Sequence, residues 1–121
     1  MKRGIVLAVA VSIGSVSGSI SAAAQDTKKI EQGAALFVSQ KCSQCHSIAG
    51  KGNAKGPMDG IGAKRTADEI QQWIVDPEAM RAKTKATRTP EMKLIKLGKA
   101  QVDALVAYLM TMKSAVPDAP K

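Results

Sequence analysis

Cys42-Ser43-Gln44-Cys45-His46 gathers both cysteines and the one histidine of a 121-residue chain into five consecutive positions. The spacing is C-x-x-C-H, the pattern of covalent haem c attachment. Two thiols three positions apart on one helical turn can reach the two vinyl groups of a single haem and become thioethers. His46 then points a ring nitrogen at the iron. Other uses of the same residues compete with this one. A structural zinc site needs four protein ligands and a catalytic one about three, so carboxylates would have to complete it. A thioredoxin-like redox pair belongs in a βαβ setting, and the sequence has no strand signal of weight. A disulfide suits an oxidising compartment, but a loop of four residues constrains little.

The N-terminus reads as an export signal. Met1, Lys2 and Arg3 give a positive start, Gly4 to Ala24 carries no charge, and Ala22-Ala23-Ala24 offers the small residues a signal peptidase cuts. Cleavage after Ala24 would leave residues 25–121 as one domain in the periplasm, where bacterial haem attachment occurs, with no stable membrane insertion. The alternative is a retained anchor, since 21 uncharged residues are long enough to span a bilayer. Ser and Gly dilute the second half of that run. Without Lys2 and Arg3, the 18 basic residues become 16 against 10 acidic, a net charge of +6. Phe37, Trp73 and Tyr108 are the only aromatics. A domain this small is marginal without a staple, and a large apolar cofactor would supply the missing core. An exported basic chain with three aromatics and no recognition motif is a poor nucleic-acid binder. A solvated face that meets acidic partners is the better reading.

Three helical stretches are expected. The first runs from about Thr27 to Gln40, capped by Asp26 or Thr27, with Ile30, Ala34, Phe37 and Val38 on one face. Gly33 inside it costs about 1 kcal/mol against Ala, which suggests a close approach of another backbone. Residues 49–63 hold five Gly and one Pro and read as loop. Thr66-Ala67-Asp68-Glu69 is a capping box opening the second helix, with Ile70, Trp73 and Ile74 apolar. Asp76-Pro77 ends it. A basic stretch then runs to Lys96, interrupted at Pro90. The last helix spans about Lys99 to Lys113, with Gly98 as cap and Gln101 three residues on. Leu97 and Val102 are placed for a hydrophobic staple, and Val102, Leu105, Val106 and Leu109 form the buried stripe. Pro117 and Pro120 mark a frayed tail.

Beyond the first helix and its C-x-x-C-H, the mature chain resembles a class I bacterial cytochrome c over nearly its whole length. Gly33 and Phe37 resemble that family's Gly-x-x-x-Phe, and Tyr108 its aromatic in the last helix. The resemblance implies a small all-α cytochrome c fold of three to four helices around one haem, the first and last helices crossing at the glycine. Gly56-Pro57 resembles the loop whose proline carbonyl accepts a hydrogen bond from the ligating histidine, which would give Pro57 a role in fixing His46. Met58 stands where the family often has Leu. Trp73 resembles a residue near a haem propionate, and simple packing is an equal reading.

With one histidine, the chain cannot supply a bis-histidine haem. Methionine is the remaining soft ligand. Met58 follows the proximal loop closely, Met110 and Met112 end a helix, and Met80 follows Pro77. Met92, in Thr89-Pro90-Glu91-Met92, matches the family's pairing of Pro and Met best and is the expected distal ligand. Ligation by His46 and Met92 fills both axial positions and implies outer-sphere electron transfer, not enzyme catalysis at the iron. In this family a basic ring near the exposed haem edge often steers acidic redox partners, and residues 81–99 would supply it here. Two alternatives remain: a haem subunit bound to a specific periplasmic dehydrogenase, and a haem enzyme or gas sensor with an open distal site. The second fits less well, because cytochrome c′-type sensors resemble four-helix bundles with the motif near the C-terminus.

Overall fold

The computed structural model describes residues 22–114. The expected leader lies outside them except for its last three residues, as do Pro117 and Pro120 of the tail. Four helices of eight or more residues, one short helix and a two-residue hairpin follow one another: α1 (Ala22–Ser39), β1 (Ser47–Ile48), β2 (Lys51–Gly52), α2 (Ile61–Lys64), α3 (Ala67–Val75), α4 (Pro77–Thr84) and α5 (Lys99–Met110). This is the small all-α fold that the sequence implied.

The frame is the crossing of α1 and α5. Gly33 makes it possible: a Cβ there would fall on the carbonyl oxygen of Ala104 and lie 2.6 Å from Tyr108 Cβ. Phe37 and Tyr108 then meet edge to face, with ring centroids 6.2 Å apart. Val102, Leu105, Val106 and Leu109 are buried in one core cluster with Phe37, Ile70 and Ile74, which is the stripe expected for the last helix.

Helix α1 begins earlier than expected. Asp26 and Thr27 lie inside it, and the Thr27 hydroxyl donates to the Ala23 carbonyl at 3.0 Å instead of capping. The alanines before them are the best helix formers and carry the helix backward. Val38, placed on the buried face by the sequence, is 72% exposed. It lies about 100° round the helix from Phe37, and Leu36 packs against the core instead.

The loop over residues 49–63 contains more order than its glycines suggested. Ala49 and Gly50 both have positive φ and close a tight hairpin pairing Ser47 with Gly52 and Ile48 with Lys51. Gly62 N donates to Met112 O at 2.9 Å and Lys113 Nζ to Gly62 O at 2.9 Å, fastening α2 to the chain after α5. That diversion ends α5 at Met110, short of the expected Lys113. Helix α3 starts as expected: Thr66 Oγ1 accepts from Glu69 N at 3.2 Å, and Glu69 Oε2 accepts from Thr66 N at 2.9 Å. At α5, Gln101 Oε1 accepts from Gly98 N at 2.9 Å, half of such a box.

Helix α4 was not expected. Asp76-Pro77 does end α3, but it also starts a new helix. Asp76 Oδ1 accepts from Ala79 N at 3.0 Å, and Pro77 fills the first helical position, where its missing N–H costs nothing. Met80 is buried beneath this helix, 4% exposed.

Candidate functional site

Helix α1 stops where Lys41 turns left-handed, and Cys42–Gln44 forms one 3-10 turn. Cys45 N and His46 N both donate to Cys42 O, at 3.1 and 2.9 Å. Asn53 clasps this turn from outside: its N–H donates to Ser43 O and His46 O, and its Nδ2 to Gln44 O at 3.0 Å. Gly52 brings it there with φ 109°, a conformation that glycine favours. The result fixes the backbone of all five motif residues while their reactive side chains face one cleft.

Cys42, Cys45 and His46 line that cleft together. It holds about 1170 Å³ of empty space, part of it open to solvent. Phe37, Leu105 and Leu109 come from the α1–α5 pair, and Ile70, Trp73 and Ile74 from α3. Pro90, Met92 and Ile95 reach it from the irregular segment before α5, and Arg65, Arg81 and Arg88 bring guanidinium groups.

The His46 ring is oriented by its backbone partner. Nδ1 lies 3.1 Å from Gly56 O. A carbonyl oxygen only accepts, so Nδ1 carries the proton and Nε2 keeps a lone pair for a metal. Burial pushes the imidazole below its ordinary basicity. The Gly56 bond opposes this, and the nearby Arg88 charge adds to it. The neutral ring that results is the form that ligates. Burial also pushes the Cys42 thiol up, and both thiols are free.

The expected acceptor for His46 was the carbonyl of Pro57, and here the structure corrects the sequence. Gly56 O takes both the His46 ring and the Ser47 N–H, at 3.1 and 3.0 Å. Met58 N in turn donates to Ser47 O at 2.8 Å. This bridge sets the register, aims the carbonyl of Gly56 inward and leaves Pro57 exposed.

Met58 and Met92 both line the cleft. Met58 sits two residues after Gly56, on the strip that holds His46. Met92 arrives from the separate segment before α5. Met80 is buried away from the cleft lining, and Met110 and Met112 pack against the core. Arg65, Ile61 and Ile95 are cleft residues that the sequence did not single out. The resemblance implies docking roles for Arg81 and Arg88; both also line the cleft, Arg81 half-buried and Arg88 exposed.

The residues fit a haem c: two thiols and one imidazole on a single turn, broad apolar walls, and cationic groups among them. No three His, Cys, Asp or Glu side chains converge to hold a metal ion among the described residues, so a zinc site lacks its further ligands. No helix among the described residues is long and apolar enough to cross a membrane.

Residues 30–113 match the model of the family described as Cytochrome c. A similar curated protein is Cytochrome c oxidase subunit 2 of Alkalihalophilus pseudofirmus, 26% identical over 91 residues, covering 68% of this chain and 25% of that protein. The chain thus spans about a quarter of that relative's length. No solved structure matches.

Proposed function

The chain belongs to the cytochrome c family, and from that premise we propose a periplasmic electron carrier whose haem is held by Cys42, Cys45, His46 and Met92. Membership itself brings one covalent haem c with its iron, electron transfer as the task, and redox proteins as partners. The bound iron supplies one-electron chemistry between its ferric and ferrous states.

The observation that carries the ligand reading is the shared cleft, lined by Cys42, Cys45, His46 and Met92 with mostly apolar neighbours. In this reading the two cysteine sulfurs hold the ring by thioethers. Gly56 keeps the Nδ1 proton of His46 and so presents Nε2 to the iron. Met92 would supply the second protein ligand to the iron, a thioether sulfur, which raises the potential relative to harder ligands. Phe37, Ile70, Ile74, Leu105 and Leu109 exclude water. With His46 and Met92 both holding the iron, the chain would serve electron transfer and not substrate binding at the metal.

The deciding experiment is the spectrum of the oxidised haem protein and of Met92→Ala. The wild type should show a Met–iron charge-transfer band and the variant should lack it. A band that survives in Met92→Ala removes Met92 as ligand. Carbon monoxide binding by the native wild type without denaturant would select an open distal site instead. Export rests on the charged start, the uncharged run and Ala22-Ala23-Ala24. Fractionation should find the shortened protein in the periplasm, beginning at about Gln25.

The similarity to a protein named as an oxidase subunit favours a second reading, a haem unit that stays with a larger oxidoreductase. Copurification with such a partner in fixed ratio would select it. Elution as a lone chain supports the free carrier.

A further inference from the structure

Residues 86–97 bring Pro90, Met92 and Ile95 to the cleft without regular structure. Among the described residues, no backbone–backbone hydrogen bond begins or ends on residues 87–97. Side chains therefore hold this segment. Leu97 packs against the core at its end. Glu91 pairs with Arg81 of α4, with the carboxylate side chain 59% exposed, and exposed pairs contribute little.

Arg88 makes the remaining tie, and it spans the molecule. Its Nη2 donates to the carbonyl oxygen of Cys45, 43 residues away in sequence. The same guanidinium lies on Gly56, where an added Cβ would collide with both of its terminal nitrogens and with Cys45 O. Gly56 is the residue whose carbonyl orients His46. One planar group thus touches the attachment turn and the strip that supports His46. A planar fork can do this where an ammonium presents a single point.

We propose that Arg88 is a positioning residue, a latch that ties the segment carrying Met92 to the turn carrying Cys45 and His46. Arg88 is itself exposed, yet its guanidinium is engaged on Cys45 O and against Gly56. The functional meaning of the latch rests on Met92 as distal ligand, but its existence does not.

The test uses the haem-loaded protein, Arg88→Gln, Arg88→Lys and, as a control on the same stretch, Lys85→Gln. Trypsin is added under native conditions, and cleavage after Lys93 and Lys96 is followed by mass spectrometry. Such cleavage reports how often the segment opens when opening is fast relative to cutting. Loss of one hydrogen bond from a charged donor should speed it about tenfold in Arg88→Gln. Arg88→Lys should fall between that variant and the wild type, and Lys85→Gln should match the wild type. In parallel, the denaturant concentration that abolishes the Met–iron band should drop in Arg88→Gln while the midpoint of helical ellipticity stays in place.

Unchanged cleavage in Arg88→Gln overturns the latch. So does an equal fall in the ellipticity midpoint, since Arg88 would then support the whole fold. Faster cleavage with an unmoved band keeps the latch and removes Met92 as ligand. If Arg88→Gln does not load haem, Arg88→Lys decides: cleavage at the wild-type rate overturns the proposal.

Discussion

Replacing Gly33 by Ala sets two effects of opposite sign against each other. In an isolated helix the change stabilises by about 1 kcal/mol, because Ala is the better helix former. Here the new Cβ would fall on Ala104 O, 2.8 Å from Ala104 C and 2.6 Å from Tyr108 Cβ. None of these atoms can swing away, since each is backbone or bonded directly to it. Helices α1 and α5 must therefore part by about 1 Å to restore ordinary contact. Parting strains the Phe37–Tyr108 pair, itself worth about 0.5–1.5 kcal/mol, and overpacking of this kind costs about 1–3 kcal/mol. The sum is a net loss of about 2 kcal/mol, or a fall in Tm of roughly 10 °C for a domain of this size. The assay is thermal and denaturant unfolding of the haem-loaded protein by far-ultraviolet circular dichroism. Ala35→Gly, at an exposed position of the same helix, isolates the propensity and should cost about 1 kcal/mol. A Gly33→Ala protein as stable as the wild type, or more so, would refute the close crossing.

Three further outcomes follow from the same structure. Thr66→Ala removes the acceptor for Glu69 N and should cost about 1 kcal/mol in denaturant unfolding; Thr66→Ser should restore most of it. Replacing Cys42 and Cys45 together by Ala should abolish covalent haem and leave a chain with little helical ellipticity, because the apolar cleft then has nothing to close on. The Asp103 carboxyl is held below its ordinary value of 3.8, chiefly by the hydrogen bond from Lys99, at 2.8 Å. Because its folded value is depressed, the pair's stabilisation is present above the ordinary value and lost as pH falls through the folded one. Lys99→Gln should move the Asp103 titration midpoint upward by nuclear magnetic resonance, and an unmoved midpoint would reject the pairing.

The parts legible in the sequence were those fixed by local spacing. The motif placed the site, Thr66 and Glu69 placed the start of α3, and the stripe from Val102 to Leu109 placed the buried face of α5. Gly33 is a subtler case: an unfavourable residue inside a helix signalled a neighbour that the helix alone could not name. What escaped depended on distant partners or on residues with two uses. Asp76-Pro77 reads equally as a stop and as a start, and here it is both. Leu36 and Val38 are both apolar near the end of α1, and the position of α5 chooses between them. Gly56 instead of Pro57 holds His46 because Ser47 pairs across the loop and sets the register. Arg88 looked like one more basic residue, since nothing local connects it with Cys45.

The same pairing argument divides the positive charge into two populations. Arg81 is spent on Glu91, Arg88 on Cys45 O and Lys99 on Asp103. Lys83, Lys85, Lys93 and Lys96 are exposed, and none of the described ion pairs or side-chain hydrogen bonds includes them. They flank the Met92 segment at the end of α4 and before α5, beside Leu94, an apolar side chain 59% exposed. With an acidic partner of the kind the resemblance implies, these four lysines would do the steering, and that attraction would fade as salt screens it. Arg81 and Arg88 instead each act over a single contact, with Glu91 and with Cys45 O. A basic face and one wall of the cleft are thus supplied by neighbouring residues of one short stretch, and the two can be altered separately.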